Sequence, residues 1–184
     1  MAKRVLLPLA EGFEEIEALT ALDLLRRGGV EVVTAGLAPG LVTAGHGLRV
    51  EPDTTLDAVA GETFDLVFLA GGSPGYQNLA ADERIRALAR RQVAEQRPVA
   101  AICGAPYVLE QSGLLAGCRV TSYPSVRAKL TSAATVVDET VVADGLILTS
   151  QGVGTAVEFA LALLEMLTDR ETRDRVARAT LLER

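Results

Sequence analysis

At 184 residues, with 49% apolar and 23% charged side chains, the chain has the size and composition of one domain with a substantial core. A net charge of −6 argues against a nucleic-acid surface, and no apolar run approaches the length of a membrane span. Two widely separated cysteines and a single histidine show neither a disulfide framework nor a metal-ligand spacing, so they suggest a reducing compartment and no metal.

Taken in order, Arg4–Leu9 reads as an apolar strand. The start superficially resembles a signal peptide, but its run is short and passes straight into acidic Glu11 to Glu17. Glu14–Arg27 is predicted as a helix with Ile16, Leu19, Leu22 and Leu25 at three-residue steps on one face. Acids crowd its first turn, Arg26 and Arg27 its last, and Gly28-Gly29 stops it. Val30–Ala35 is a second strand, and a β-α-β opening implies a parallel sheet with right-handed crossovers. Gly36 to Gly47 is turn-rich, Leu48 to Asp53 suggests an edge excursion, and Thr54–Ala60 a short helix.

Phe64–Ala70 is the next strand, followed by the loop Gly71-Gly72-Ser73-Pro74-Gly75. Asp82–Glu95 is predicted as a helix with Ile85, Leu88, Ala89 and Val93 inward. Val99–Ile102 follows as a buried strand, then Cys103, Gly104 and a helix from Tyr107 to Ser112 with Pro106 in its first turn. Arg119–Ser122 reads as a strand, Thr135–Asp138 with Thr140–Ala143 as a hairpin about Glu139, and Leu146–Thr149 as the last core strand. Helices over Thr155–Leu167 and Arg170–Leu182 close a single α/β sandwich spanning 1–184.

Strand, Cys103, tight turn and helix place a thiol at a helix N-terminus, where its pKa is expected to fall well below the ~8.5 of a free cysteine. A buried cysteine ending a strand fits the local pattern equally well. Gly72 and Gly104, both after strand ends, could offer N–H groups to an oxyanion beside Cys103, or simply make tight turns. Glu14 and Glu15 suit solvated partners of the helix dipole. Glu17, next to apolar Ile16, is the acid expected near the buried edge; facing Cys103, it would be protonated against a thiolate. Cys118 reads as structural and His46 as a surface residue of a Gly-rich loop.

Four ordered segments carry a resemblance over essentially the whole chain. They are Leu9 to Glu17, Leu69 to Gly75 with Gln77-Asn78-Leu79, Ala100 to Pro106, and Asp144 to Thr155 with Glu158-Phe159-Ala160. Together they resemble the DJ-one/ThiJ/PfpI superfamily, near its parkinsonism-associated and YajL-type branch. The resemblance implies a flavodoxin-like three-layer fold, a cytoplasmic homodimer and no cofactor. It places the reactive Cys on Cys103, the protonated acid on Glu17 and the oxyanion amides on Gly72 and Gly104. Where some members carry a His-Pro pair, this chain has Tyr123-Pro124. His46 falls where animal members have an Arg near the neighbouring subunit's site, which suggests an approach across a dimer.

The implied activity is cofactor-free, Cys103-dependent chemistry on methylglyoxal, glyoxal or their early adducts on protein or nucleotide, yielding a 2-hydroxy acid. The rival expectation is a stress sensor or chaperone that uses oxidation of Cys103 rather than turnover.

Overall fold

The computed structural model describes residues 2–182, so Met1, Glu183 and Arg184 of the expected 1–184 domain lie outside the described residues. The chain runs β1 (Arg4–Leu9), α1 (Glu15–Arg27), β2 (Glu31–Gly36), β3 (Val42–Thr43), β4 (Arg49–Val50), β5 (Thr54–Thr55) and β6 (Leu66–Leu69). It continues through α2 (Gly75–Ala81), α3 (Glu83–Ala94), β7 (Val99–Ile102), α4 (Pro106–Gln111), β8 (Arg119–Val120), α5 (Pro124–Arg127) and β9 (Thr135–Val136). β10 (Val141–Asp144), β11 (Ile147–Ser150), a 3-10 turn at Val153–Thr155, α6 (Ala156–Leu167) and α7 (Arg170–Ala179) complete it.

Seven strands form the main sheet in the order β10-β11-β7-β6-β1-β2-β5, with every pairing parallel except β10 on β11. Alternation along each strand builds two cores, because successive side chains leave opposite faces. Val5, Leu7 and Leu9 of β1 join Ala18, Leu25, Phe159, Leu163 and Val176 under α1, α6 and α7. Leu6 joins Leu79, Ile85, Val108 and Leu109 under α2, α3 and α4. The result is the expected three-layer α/β sandwich with a mostly parallel sheet. Successive connections leave β1 toward β2 on one side and reach β6 and β7 on the other. That reversal places the carboxyl ends of β1, β6 and β7 around one crevice.

Several local expectations are corrected. The inward face of α1 is Glu17, Ala18, Ala21, Leu24 and Leu25, whereas Ile16 and Leu19 point outward, 51% and 36% exposed. Small Ala18 and Ala21 let α1 lie close against α6, and that close approach turns the larger Ile16 and Leu19 away. Thr54–Ala60 is not a helix: β-branched Thr54 and Thr55 pair with Ala35 and Gly36 at the sheet edge, followed by turns. α2 was hidden by its Gly-Ser-Pro-Gly lead-in, although Tyr76, Leu79 and Ala80 share a buried face. The hairpin turns at Gly145, where φ is +58°, and joins β10 to β11; β9 instead pairs parallel with β8 in a two-stranded side ribbon. Arg119–Ser122 is correspondingly not part of the main sheet.

Candidate active site

Cys103 follows β7 with φ +64°, a left-handed conformation that costs a non-glycine residue strain and holds the side chain up at the strand end. Its N–H donates to Ser150 O at 3.0 Å, and its carbonyl accepts Tyr123 N–H at 2.9 Å. β11 and the segment before α5 therefore clamp the turn from both sides. Sequence reasoning credited α4 with activating the thiol, but α4 begins three residues later and is only six residues long. The groups that lower the thiol pKa are the Gly72 and Gly104 amides, which hydrogen-bond the sulfur. They are outweighed: burial first, then the charge and hydrogen bonding of Glu17, push Cys103 up to about 12. Burial and Glu17 thus oppose the low thiol pKa expected of a helix N-terminus.

Glu17 is 1% exposed and reaches this corner from the first turns of α1. Gly71 N–H donates to its Oε2 at 2.8 Å, while Oε1 has no hydrogen-bond partner among the described residues. An ionised carboxylate so buried and so sparsely paired is costly. Burial raises Glu17 to about 7, the nearby charge of Glu14 adding to it, against the opposing Gly71 and Cys103 hydrogen bonds. Glu17 and Cys103 form one coupled acid that sheds its first proton near neutrality. Burial raises both groups, so the corner favours at most one negative charge, shared between carboxyl and thiol.

Gly71, not singled out by motif reasoning, is what permits the approach. A Cβ there would lie 2.6 Å from Cys103 Cβ and 2.7 Å from Glu17 Oε2. Gly104 is bare for a similar reason, since a Cβ would stand 2.5 Å from the Tyr76 ring. Gly72 has φ +92° and backs onto the Phe13–Glu14 backbone. The signal for Gly71 was present as a Gly-Gly pair after a buried strand, but only the fold shows which of the two meets the acid.

Above this pair opens a cleft of about 650 Å³ whose wall includes Tyr76, Tyr123, Arg127, Asp138, Gln151 and Gly152. Tyr123 does stand at the cleft, with its ring beside Gly152. Arg127 donates to Asp138 Oδ1 at 2.7 Å and the Gln151 amide donates to the same oxygen at 2.6 Å, forming a polar outer wall that the sequence did not reveal. Cys118 lies outside the cleft, packed against the second core with Sγ 3.5 Å from Leu114 O, as a structural residue should. His46 is exposed as expected. Glu14 and Glu15 are not freely solvated, however: their side chains are 12% and 14% exposed and face His46 of the same chain.

A cysteine on a strained strand-to-helix turn, an acid buried beside it and two backbone amides at the sulfur come together at one end of a flavodoxin-like sandwich. The DJ-1/PfpI family pattern matches residues 3–166, and the chain belongs to that family. Protein dj-1beta of Drosophila melanogaster is 41% identical over 99% of this chain and 98% of its own length. The crystal structure of Drosophila melanogaster DJ-1beta superposes with a TM-score of 0.96, covering 98% of both chains at 41% identity. The glutathione-independent glyoxalase DJR-1.2 of Caenorhabditis elegans is 39% identical over 91% of this chain and 89% of its own length. Among the described residues no helix is long and apolar enough to cross a membrane.

Proposed function

We propose that the protein is a cofactor-free glyoxalase of the glyoxalase III or deglycase kind, acting on methylglyoxal, glyoxal or their early adducts. The observation that carries this reading is the coupled Glu17–Cys103 pair beneath an open cleft; the name of the Caenorhabditis elegans relative supports it. With the pair singly ionised, Glu17 takes the thiol proton as the Cys103 sulfur adds to the aldehyde carbon, giving a hemithioacetal. Gly72 and Gly104, whose N–H groups already point at the sulfur, stabilise the oxyanion formed on the adjacent carbon.

Glu17 then moves a proton from the former aldehyde carbon to the neighbouring carbonyl carbon while the hydroxyl proton crosses between the oxygens. The product is a 2-hydroxyacyl thioester on Cys103. Water hydrolyses it, releasing a 2-hydroxy acid and restoring the thiol; no net oxidation occurs. The cleft is far larger than a three-carbon aldehyde, which favours adducts as additional substrates. Lactate formed from methylglyoxal, compared between wild type, Cys103→Ala and Glu17→Gln at equal concentration, tests the reading. Catalytic lactate lost in both variants supports it; stoichiometric aldehyde loss without lactate removes it and favours a redox sensor.

The same reading makes the protein a cytoplasmic homodimer. Its two cysteines are unpaired, and Ile16 and Leu19 on the outer side of α1, with Leu48 nearby, leave apolar surface exposed. Sedimentation of Ile16→Glu/Leu19→Glu should give a monomer where wild type gives a dimer.

A further inference from the structure

A second cavity, of about 310 Å³, opens on the side of the sheet away from α1, between α3 and the turn that follows β5. Its walls are Leu6 of β1, Leu56, Val59 and Leu88, each no more than 8% exposed, and the exposed Ala60 and Ala87 stand at its mouth. Packed interiors leave few voids larger than a water molecule, so an open apolar hollow of this size is a ligand-sized pocket. No residue of the Cys103 cleft lines it.

Charge gives this pocket a polar end. Arg91 lines it, and its guanidinium donates to Ala60 O at 2.6 Å and to Glu62 O at 3.3 Å. Those carbonyls fix the group in place without neutralising it, and among the described residues Arg91 pairs with no carboxylate. A guanidinium has five N–H donors, so several remain for an incoming anion. Asp57, the acid that lines the pocket, is already held by Arg84 at 2.7 Å and does not oppose one. The excess of positive charge extends along the helix: α3 carries four arginines and one glutamate, and Glu83 is shared by Arg86 and Arg90. In a chain of net charge −6 this is a local positive surface beside an apolar hollow.

We propose that the pocket binds a free aliphatic carboxylate with one short chain, its tail against Leu6, Leu56, Val59 and Leu88 and its head on Arg91. The walls offer the tail hydrocarbon, and a guanidinium fork matches a carboxylate with two parallel hydrogen bonds. The volume is at the small end of the roughly 300–1,000 Å³ of ligand pockets, which suits a single chain and not a two-chain lipid.

In the test, octanoate is titrated calorimetrically into the whole chain at low ionic strength, and its position is read from methyl NMR shifts. Octanol keeps the tail without the charge, and butyrate keeps the head without the tail. Saturable octanoate binding is expected, with shifts at Leu56, Val59 and Leu88 and an affinity about tenfold or more above that of either control. Arg91→Gln should lower octanoate affinity about tenfold and leave that of octanol unchanged. Ala87→Phe should remove both by filling the mouth; Ala87 is exposed, so its replacement leaves the fold intact. No saturable octanoate binding, octanol binding as tight as octanoate, or affinity unchanged in Arg91→Gln would overturn the proposal.

Discussion

Glu17 and Cys103 are held in one buried corner by the absence of a side chain on Gly71, whose N–H also fixes Glu17 Oε2 at 2.8 Å. The carboxyl is raised to about 7 and the thiol to about 12, so the pair carries a single negative charge over the range in between. In the proposed mechanism, activation is the sharing of a proton between the thiol and a nearby carboxylate.

The first expectation concerns pH. The reactive form appears when the pair loses its first proton, so kcat/KM for methylglyoxal should rise through about pH 7 and stay level to above pH 9. Glu17→Gln should lower it about a hundredfold or more and abolish the inflection. A wild-type profile flat from pH 5.5 to 8.5 would exclude Glu17 as the base.

Stability should show the same group with a defined sign. Glu17 ionises near 4.5 when unfolded and about 7 when folded, so the folded state binds more protons between these values. Its contribution is complete below pH 4.5 and is lost as pH rises through 7, amounting to about 3 kcal/mol. Urea unfolding at pH 5 and pH 8 should show a wild-type decline that Glu17→Gln reduces by about that amount. An equal decline in both proteins would show that Glu17 is not the linked group.

Gly71→Ala should cost about 1–3 kcal/mol, because a methyl group must displace Cys103 or Glu17 in a packed corner. It should also lose most methylglyoxal turnover while the protein remains folded by circular dichroism. Normal activity in folded Gly71→Ala would show that the close approach of acid and thiol is dispensable.

Tyr123 lines the cleft, where its hydroxyl can donate a hydrogen bond while Glu17 is positioned to take the proton. Tyr123→Phe should therefore retain activity within about tenfold of wild type. His46→Asn should keep most activity as well, since on its own chain the imidazole is engaged with Glu15. Should His46→Asn prove as inactive as Cys103→Ala, a Cys-His mechanism across a dimer would replace the one argued from Glu17.

Much of this molecule is written locally. Apolar runs between Gly and Pro stops marked β1, β2, β6 and β7, and Pro106 marked the start of α4. The ordered segments around Glu17, Gly72, Cys103 and Gly152 were enough to show the family resemblance before any coordinates. The face of α1 was not legible, because Ile16 and Glu17 are neighbours in a helix and only close packing of Ala18 and Ala21 on α6 decides which turns inward. The direction of the Cys103 shift was not legible either: a local motif contains the helix terminus but not the burial, nor an acid 86 positions earlier in the chain. The Glu14, Glu15 and His46 cluster is likewise a product of the loop after β3 folding back on α1. Propensity and hydrophobic period act over a few residues, whereas ionisation and ligand geometry depend on whatever the fold brings within a few ångströms.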